Sequence, residues 1–255
     1  MTAVNNRSAD HTDPTGNHLL NYKTVWIHGA GLSGSTWDRL AARFEDAAQP
    51  DLPGHGRAAP VLPARVETFA DTMQGDVPQG AVLIGHSLGG MVALELASRL
   101  GSSVKALVLI ECVPTVRTGP AARLIASMFA GIFSALPPGW LAKLSALGQT
   151  PDTAAELQNQ ISRMTRAGLR SALEACVHYD GRRHLANIHA PCLILIGRRN
   201  KATHQGAKLM ASRIAKAKLV ELEGGHILHT DAPNALMTAI EDFVRKIEPI
   251  ETRPS

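Results

Sequence analysis

The sequence predicts an α/β fold, with a mostly parallel central sheet, helices on both faces and a helical lid inserted after the strand that ends at Glu111. Two observations predict it. Short apolar runs of strand character alternate with segments of helical composition, which is the order that builds a parallel sheet covered on both faces. One stretch, residues 115–185, has helical segments but no strand pattern, and we expect it to lie over the carboxyl ends of the strands as a lid.

The chain of 255 residues suits one α/β domain with an insertion. We expect a mobile N-terminal tail over residues 1–22, a core formed by residues 23–114 and 186–248, the lid over residues 115–185, and a C-terminal tail over residues 249–255. Within the core, the apolar runs predict strands at 24–27, 47–51, 82–84, 104–110, 192–196 and 219–222, and helices at 36–44, 68–75, 91–97 and 234–247.

Composition excludes several classes of protein. The formal net charge is only +4, and the basic residues are dispersed, which argues against a nucleic-acid partner. Three cysteines make no disulfide framework and suit a reducing compartment. No apolar run reaches the ~18 residues of a membrane span, and the polar N-terminus lacks the apolar segment of a signal peptide. We therefore expect a cytoplasmic monomer or homodimer with no membrane or nucleic-acid partner.

The most informative stretch is Gly85-His86-Ser87-Leu88-Gly89, between an apolar strand and a helix. Gly-x-Ser-x-Gly in this position predicts a nucleophile elbow, a sharp and strained turn that lifts the Ser87 hydroxyl above the sheet at a helix N-terminus. The glycines two residues to either side are expected because a Cβ there would collide as strand and helix close together.

A serine hydroxyl needs a base within hydrogen-bond reach before it can attack a substrate. Of the eleven histidines, His226 is the candidate base, because it directly follows the last strand behind two glycines. His229, three residues further on, is the alternative, although its position favours packing or a bond to the backbone over catalysis. His28, His55 and His86 lie in glycine-rich turns, where histidines more often orient loops.

A tetrahedral intermediate needs two amide donors for its oxyanion. The residue after the nucleophile, Leu88, supplies one N–H, and the loop after the first strand supplies the other, from Ala30 or alternatively Gly31. The same turns make His28, Gly29 and His86 candidates to line the substrate site.

These motifs together resemble the α/β-hydrolase fold superfamily, in its capped, single-domain esterase- and lactonase-like branch. The resemblance covers residues 24–247 and rests on five segments: His28-Gly29, Asp51-Leu52-Pro53-Gly54-His55-Gly56, Gly85–Gly89, Pro191–Gly197 and Gly225-His226. It implies a Ser-His-acid triad, a lid that shapes substrate choice, and neither metal nor cofactor.

The sequence departs from this family at the acid. Most relatives carry an Asp where this chain has Asn200, and an amide cannot hold an imidazolium as a carboxylate does, a loss that costs a triad roughly 10⁴ in turnover. Glu111 is the candidate replacement, because it ends the strand after the elbow helix; zearalenone-lactonase-like hydrolases use Glu there, and cofactor-free ring-cleaving dioxygenases use Asp. Alternatively, Glu111 caps the strand end.

We expect Asp180 to cap the return from the lid and Asp231 to fix the start of the final helix.

The lid contributes candidate substrate contacts. Aromatic residues are only 4% of the chain, yet Phe129, Phe133 and Trp140 cluster in the lid, as an apolar pocket roof or as the packing of the lid's own helices. The sequence thus favours a hydrolase that cleaves a small-molecule ester or lactone with an apolar moiety. Two alternatives remain: a cofactor-free dioxygenase or lyase using the His-acid pair, and a non-catalytic ligand-binding protein.

The acid assignment can be tested by substitution. We expect Glu111→Gln to lower turnover at least ~10²-fold, because the imidazolium loses its counter-charge, and Asn200→Ala to change turnover little. The measurement is steady-state hydrolysis of an activated ester; similar losses in both variants would refute the relocation of the acid to position 111.

Overall fold

A computed structural model describes residues 19–117, 136–147 and 149–247. Its sheet has six parallel strands in the order β2-β1-β3-β4-β5-β6. The strands are β1 Leu20–Ile27, β2 Phe44–Ala48, β3 Ala81–His86, β4 Val104–Ile110, β5 Cys192–Gly197 and β6 Ala217–Leu222. The α/β fold with a parallel sheet is therefore confirmed.

The α-helices of the described residues cover the sheet and its carboxyl edge. They are α1 Asp38–Ala41, α2 Val66–Met73, α3 Leu88–Leu100, α4 Pro138–Ala146, α5 Pro151–Ser162, α6 Arg166–His178, α7 Lys201–Arg213, α8 Leu228–Asp231 and α9 Pro233–Val244. None of the helices in these ranges is both long and apolar enough to span a membrane.

Two apolar layers form because alternate side chains of a strand point to opposite faces. In β3, Val82 and Ile84 pack on the face covered by α1 and α9, whereas Leu83 packs on the face covered by α2, α3 and α7. All six residues of β3 are buried, so the central strand is enclosed on both sides. This rigid centre is what holds the Ser87 turn.

Several predicted boundaries are wrong near the N-terminus. β1 begins at Leu20, so the last three residues of the expected tail belong to the sheet. The expected helix over residues 36–44 is only a 3₁₀ turn followed by the four-residue α1. β2 then begins at Phe44 rather than at residue 47, because the Phe44 ring packs edge-on against Trp26, with centroids 5.6 Å apart. The rest of the expected tails, residues 1–18 and 249–255, lies outside the described residues.

Helices of the insertion contact the loops at the carboxyl ends of the strands. Ser33 Oγ donates to Gln160 Oε1 of α5 at 2.8 Å, and Thr36 Oγ1 donates to Glu156 Oε1 at 3.0 Å. Leu32, Ile161 and Ile227 also meet in one apolar cluster. Helix α5 therefore lies above the loops that follow β1 and β6, where the sequence predicts a lid.

The sharp approach of α3 to the sheet requires glycine. A Cβ at Gly89 would lie 2.2 Å from the carbonyl oxygen of Ile27, and one at Gly85 would lie 2.3 Å from that of Gly89. No side chain fits at such distances, because carbonyl groups held in the hydrogen bonds of a strand or a helix cannot move away. The predicted steric reason for these two glycines is confirmed.

Gly89→Ala is expected to lower the free energy of unfolding by about 3 kcal/mol or more, because the new Cβ overlaps the Ile27 carbonyl. Gly139→Ala in α4 is the matched control, since no heavy atom lies within 4 Å of its added Cβ; it should change stability by at most about 1 kcal/mol. Urea unfolding measures both. Equal effects of the two substitutions would contradict the steric explanation.

Candidate active site

Ser87 stands at the corner between β3 and α3. Its backbone has φ 53° and ψ −115°, a conformation that costs energy in a non-glycine residue. The Ser87 N–H donates to the Ile110 carbonyl at 2.9 Å, which ties the strained turn to β4. The Ser87 Oγ lies 3.1 Å from His226 Nε2, so the serine hydroxyl and the imidazole are within hydrogen-bond distance.

His226 is held over the sheet by its own backbone. The Nε2–H of the buried His86 donates to the His226 carbonyl at 2.8 Å, and the N–H of Gly225 donates to Asp231 Oδ2 at 2.6 Å. These two bonds fix the loop after β6 on both sides of the ring. The His226 side chain is 38% exposed, which leaves it accessible to a substrate above the sheet.

Glu111 presents a buried carboxylate to the other side of the His226 ring. Its Oε2 lies 3.4 Å from His226 Nδ1, and its side chain is 0% exposed. Hydrogen bonds from the Gly197 N–H, the Asn200 amide and the Thr203 hydroxyl compensate for this burial. The structure thus places Glu111 in line with the imidazole and the serine.

Ser87 and Glu111 share an unusual backbone conformation. Among the described residues, Ser87 and Glu111 (φ 49°) are the non-glycine residues with positive φ. Such strain persists only where the surrounding structure enforces it, and it is common at functional sites. The Glu111 N–H donates to the Leu195 carbonyl at 2.8 Å, which holds the strained residue against β5.

Asn200 lies between the carboxylate and the imidazole. Its Nδ2 donates to Glu111 Oε2 and is 3.0 Å from His226 Nδ1. Position 200 is therefore part of the same hydrogen-bonded group. These contacts argue against the small effect expected for Asn200→Ala.

The candidate oxyanion donors flank Ser87. Leu88 is the first residue of α3, where an N–H has no intrahelical acceptor, and Ala30 lies in the turn after β1. Within the described residues, neither N–H donates a hydrogen bond to a protein acceptor. Gly31 has φ +80° and faces Ile161 of α5. The N–H groups of Ala30 and Leu88 therefore remain the predicted oxyanion donors.

His28, Gly29 and His86 support the site from below instead of lining it. All three are buried, with His28 0% and His86 1% exposed. The Nε2 of His28 accepts from the Leu52 N–H at 2.9 Å, and its Nδ1–H donates to the Gly29 carbonyl at 2.8 Å. Their expected role in substrate contact gives way to positioning of the loops, because all three residues are buried.

The buried histidines around the site are uncharged at neutral pH. Burial lowers the pKa of His28 to about 3 and that of His229 to about 4, with neighbouring histidines acting in the same direction. Burial also lowers the pKa values of His55 and His86. His229 Nε2 lies 3.1 Å from the Thr36 hydroxyl, so this alternative base is engaged elsewhere. Among the described residues, no cluster of His, Cys, Asp or Glu could hold a metal ion.

Two other predicted acids have structural contacts. Asp180 caps the 3₁₀ helix Gly181–Asn187 by accepting from the Arg182 N–H, as expected. The expectation for Asp231 is wrong: Ala232 is the N-cap of α9. Although burial alone would raise the pKa of Asp231, bonds from Thr153, the Gly225 N–H and Arg199 hold it below its usual value. Asp231 therefore connects α5 to the loop that carries His226.

The predicted aromatic roof is not seen in the described residues. Phe129 and Phe133 lie outside them. Trp140 is 67% exposed on α4, so most of its side chain is not packed against the protein. An apolar layer is present nonetheless, because Leu32, Leu141 and Ile227 meet next to the loops that carry Ala30 and His226.

Sequence reasoning missed the groups that hold Glu111, namely Gly197 and Thr203. Thr203 lies on α7, a helix that the apolar pattern did not predict, and Gly197 ends the strand before it. The buried residues of α7 are Thr203, Ala207 and Met210, a spacing of one helical face made of small and weakly apolar side chains. The spacing Asn-x-x-Thr at the start of this segment was the available signal.

The comparisons with known proteins agree with this geometry. Residues 24–239 match the model of the alpha/beta hydrolase family. Pimeloyl-[acyl-carrier protein] methyl ester esterases of Aromatoleum aromaticum and Chromobacterium violaceum are each 31% identical, over 87% and 90% of this chain and 97% and 94% of theirs. The enol-lactonase from Burkholderia xenovorans superposes with a TM-score of 0.78 at 22% identity, over 89% of this chain and 92% of that one.

Replacing His28 tests whether a buried neutral histidine limits acid stability. The unfolded chain binds a proton near pH 6.5, whereas folded His28 stays neutral down to about pH 3. The free energy of unfolding is therefore unaffected by this group above pH 6.5. Below pH 6.5 it falls by about 1.4 kcal/mol per pH unit for one such group. His28→Gln should reduce the slope of stability between pH 6 and pH 4.5 by that amount, measured by urea unfolding.

The exposed His189 supplies the control. His189→Gln should leave the slope unchanged. A slope in His28→Gln equal to that of the unmodified protein would show that His28 is not the group concerned.

Proposed function

The chain belongs to the alpha/beta hydrolase family and is a carboxylic ester hydrolase, and from that premise we propose that it cleaves an ester or lactone with an apolar moiety through an acyl-enzyme on Ser87. The observation that carries the proposal is the order of three side chains. Ser87 Oγ lies 3.1 Å from His226 Nε2, and Glu111 Oε2 lies 3.4 Å from Nδ1 of the same ring.

The mechanism follows from this order. His226 Nε2 takes the proton of the Ser87 hydroxyl as Oγ attacks the carbonyl carbon. The imidazolium that results keeps its second proton on Nδ1, directed at the Glu111 carboxylate, which stabilises the positive charge. The N–H groups of Ala30 and Leu88 receive the negative oxygen of the tetrahedral intermediate.

Collapse of the intermediate breaks the bond to the leaving alkoxide, which takes the proton from His226 Nε2. The acyl group then remains on Ser87 as an ester. A water molecule gives its proton to the same nitrogen, attacks the acyl carbon, and releases the acid as Ser87 regains its proton. No step needs a metal or a cofactor, because base, charge stabilisation and nucleophile are all supplied by this chain.

Two observations support an apolar moiety in the substrate. Leu32, Ile161 and Ile227 form an apolar cluster next to the proposed donor Ala30 and the base His226, and apolar surface close to a reacting carbonyl favours an aliphatic acyl chain. The relatives from Aromatoleum and Chromobacterium are named for a methyl ester of an acyl chain. We therefore propose methyl esters of aliphatic acids as the first substrates to compare with lactones.

Ser87→Ala is expected to lower hydrolysis of p-nitrophenyl butyrate by at least ~10³-fold, because the acyl group loses its attachment atom. A fluorophosphonate should label the unmodified protein at Ser87, located by peptide mass spectrometry, and should not label the variant. Ser212→Ala, at an exposed serine of α7, is the control and should keep both label and turnover.

Other outcomes separate the alternatives. Absence of labelling together with conversion of a heteroaromatic substrate under oxygen would contradict the acyl-enzyme and favour the cofactor-free dioxygenase or lyase. Absence of both labelling and turnover would favour a ligand-binding protein. A series of p-nitrophenyl esters of rising chain length, methyl esters and lactones then defines the acyl preference.

A further inference from the structure

Four neighbouring strand ends contribute side chains to one hydrogen-bonded row. Ser87 follows β3, Glu111 follows β4, Asn200 follows β5 and His226 follows β6. His226, after β6, must reach Ser87, after β3. The ends of β4 and β5, which separate these two strands in the sheet, therefore both lie beneath the His226 ring. Either intermediate strand end is thus in a position to present a group to His226 Nδ1.

Both strand ends reach the ring, and of the two groups it is the Glu111 carboxylate that can accept the Nδ1 proton. Glu111 Oε2 is 3.4 Å from His226 Nδ1, and Asn200 Nδ2 is closer, at 3.0 Å. The amide also donates to Glu111 Oε2. One nitrogen of Asn200 is therefore in contact with the acid and with the base at the same time.

We propose that Glu111 and Asn200 form one acid-amide pair, in which Asn200 is a positioning residue and the pair carries a single negative charge that either position can supply. The inference rests on the proposed function, since it concerns how the acid of that triad is held. It assigns to Asn200 a defined task, which is to hold the Glu111 carboxylate beside His226 without adding charge.

Electrostatics explains why an amide accompanies a glutamate here. The Glu111 side chain is 0% exposed, and a second carboxylate in contact with it would repel the first, which water cannot reach to screen. An Asn side chain has nearly the same shape as Asp but brings N–H donors in place of charge. It therefore stabilises the ionised acid at a position where Asp would destabilise it.

The same reasoning predicts that the two groups can be exchanged. In the double variant Glu111→Gln with Asn200→Asp, the pair again has one carboxylate and one amide. A carboxylate oxygen at the place of Asn200 Nδ2 would lie close to His226 Nδ1, which is 3.0 Å from that atom. The amide introduced at position 111 would donate to this carboxylate, in reverse of the bond from Asn200 to Glu111.

The test is a cycle of three variants: Glu111→Gln, Asn200→Asp and the double exchange. Glu111→Gln should lower kcat by about 10²-fold with KM changed less than about threefold, since only the charge that stabilises the imidazolium is lost. The kcat of the double exchange should be at least tenfold higher than that of Glu111→Gln. Asn200→Asp alone should melt at a lower temperature than the double exchange, because it places a second carboxylate in contact with the buried carboxylate of Glu111.

Thr203 provides a matched control. Its hydroxyl donates to Glu111 Oε2 at 2.9 Å, but within the described residues it makes no hydrogen bond to His226. Glu111→Gln with Thr203→Asp therefore adds a carboxylate to the same cluster without placing it at Nδ1. The kcat of this variant should stay within about threefold of that of Glu111→Gln alone. This result would distinguish a carboxylate in contact with His226 from a general effect of added charge.

The outcomes separate the two proposals. If Glu111→Gln is inactive and the folded double exchange is equally inactive, the pair is overturned while Glu111 keeps its role as the acid. If the Thr203 control recovers as much as the exchange, position 200 has no special task and the pair is also overturned. If Glu111→Gln keeps full turnover, Glu111 is not the acid, and both the triad and the pair fail.

Discussion

The contact between Ser87 Oγ and His226 Nε2, 3.1 Å long, is the constraint around which the rest of the site is arranged. Their strands, β3 and β6, are separated by β4 and β5 in the sheet. With neighbouring strands about 4.8 Å apart, the loop after β6 must cross roughly 14 Å to reach the serine. Two hydrogen bonds hold the loop in this position across the sheet: one from His86 to the His226 carbonyl, and one from the Gly225 N–H to Asp231.

The charge distribution around the site depends on the same contacts. The histidines that support the site are buried and uncharged, as the lowered pKa values of His28, His86 and His229 indicate. Glu111 therefore faces His226 among neutral neighbours, and its carboxylate lies next to the imidazolium that forms during attack. Because three donors already hold this carboxylate, little reorganisation is needed when the charge appears.

The sequence was sufficient for features that have a strict local cause. The elbow was predicted because a strand–turn–helix of this sharpness excludes a Cβ at Gly85 and Gly89, and the parallel sheet because apolar runs alternate with helices. The strained Glu111 at the end of β4 was a candidate from its position alone. The alpha/beta hydrolase family that these motifs predict matches residues 24–239.

What the sequence did not provide depends on long-range contacts. The contact of Asn200 with both Glu111 and His226 joins residues 89 and 26 positions apart, and no local pattern encodes it. Helix α7 was missed because its buried face is made of Thr203, Ala207 and Met210, which carry a weak apolar signal. The glycine-rich turns of His28 and His86 predict substrate contact, but the burial of their rings is a property of the assembled fold.

Asp231 has a consequence for any effort to redesign this protein by grafting. Its carboxylate binds Thr153 of the inserted helices, the Gly225 N–H next to His226, and Arg199. The segment that the sequence predicts to be a lid therefore shares an anchor with the segment that carries His226. A chimera that replaces residues 115–185 with those of a relative should retain Thr150 and Thr153, which both donate to Asp231. Without them, the loop that carries His226 would lose part of its support.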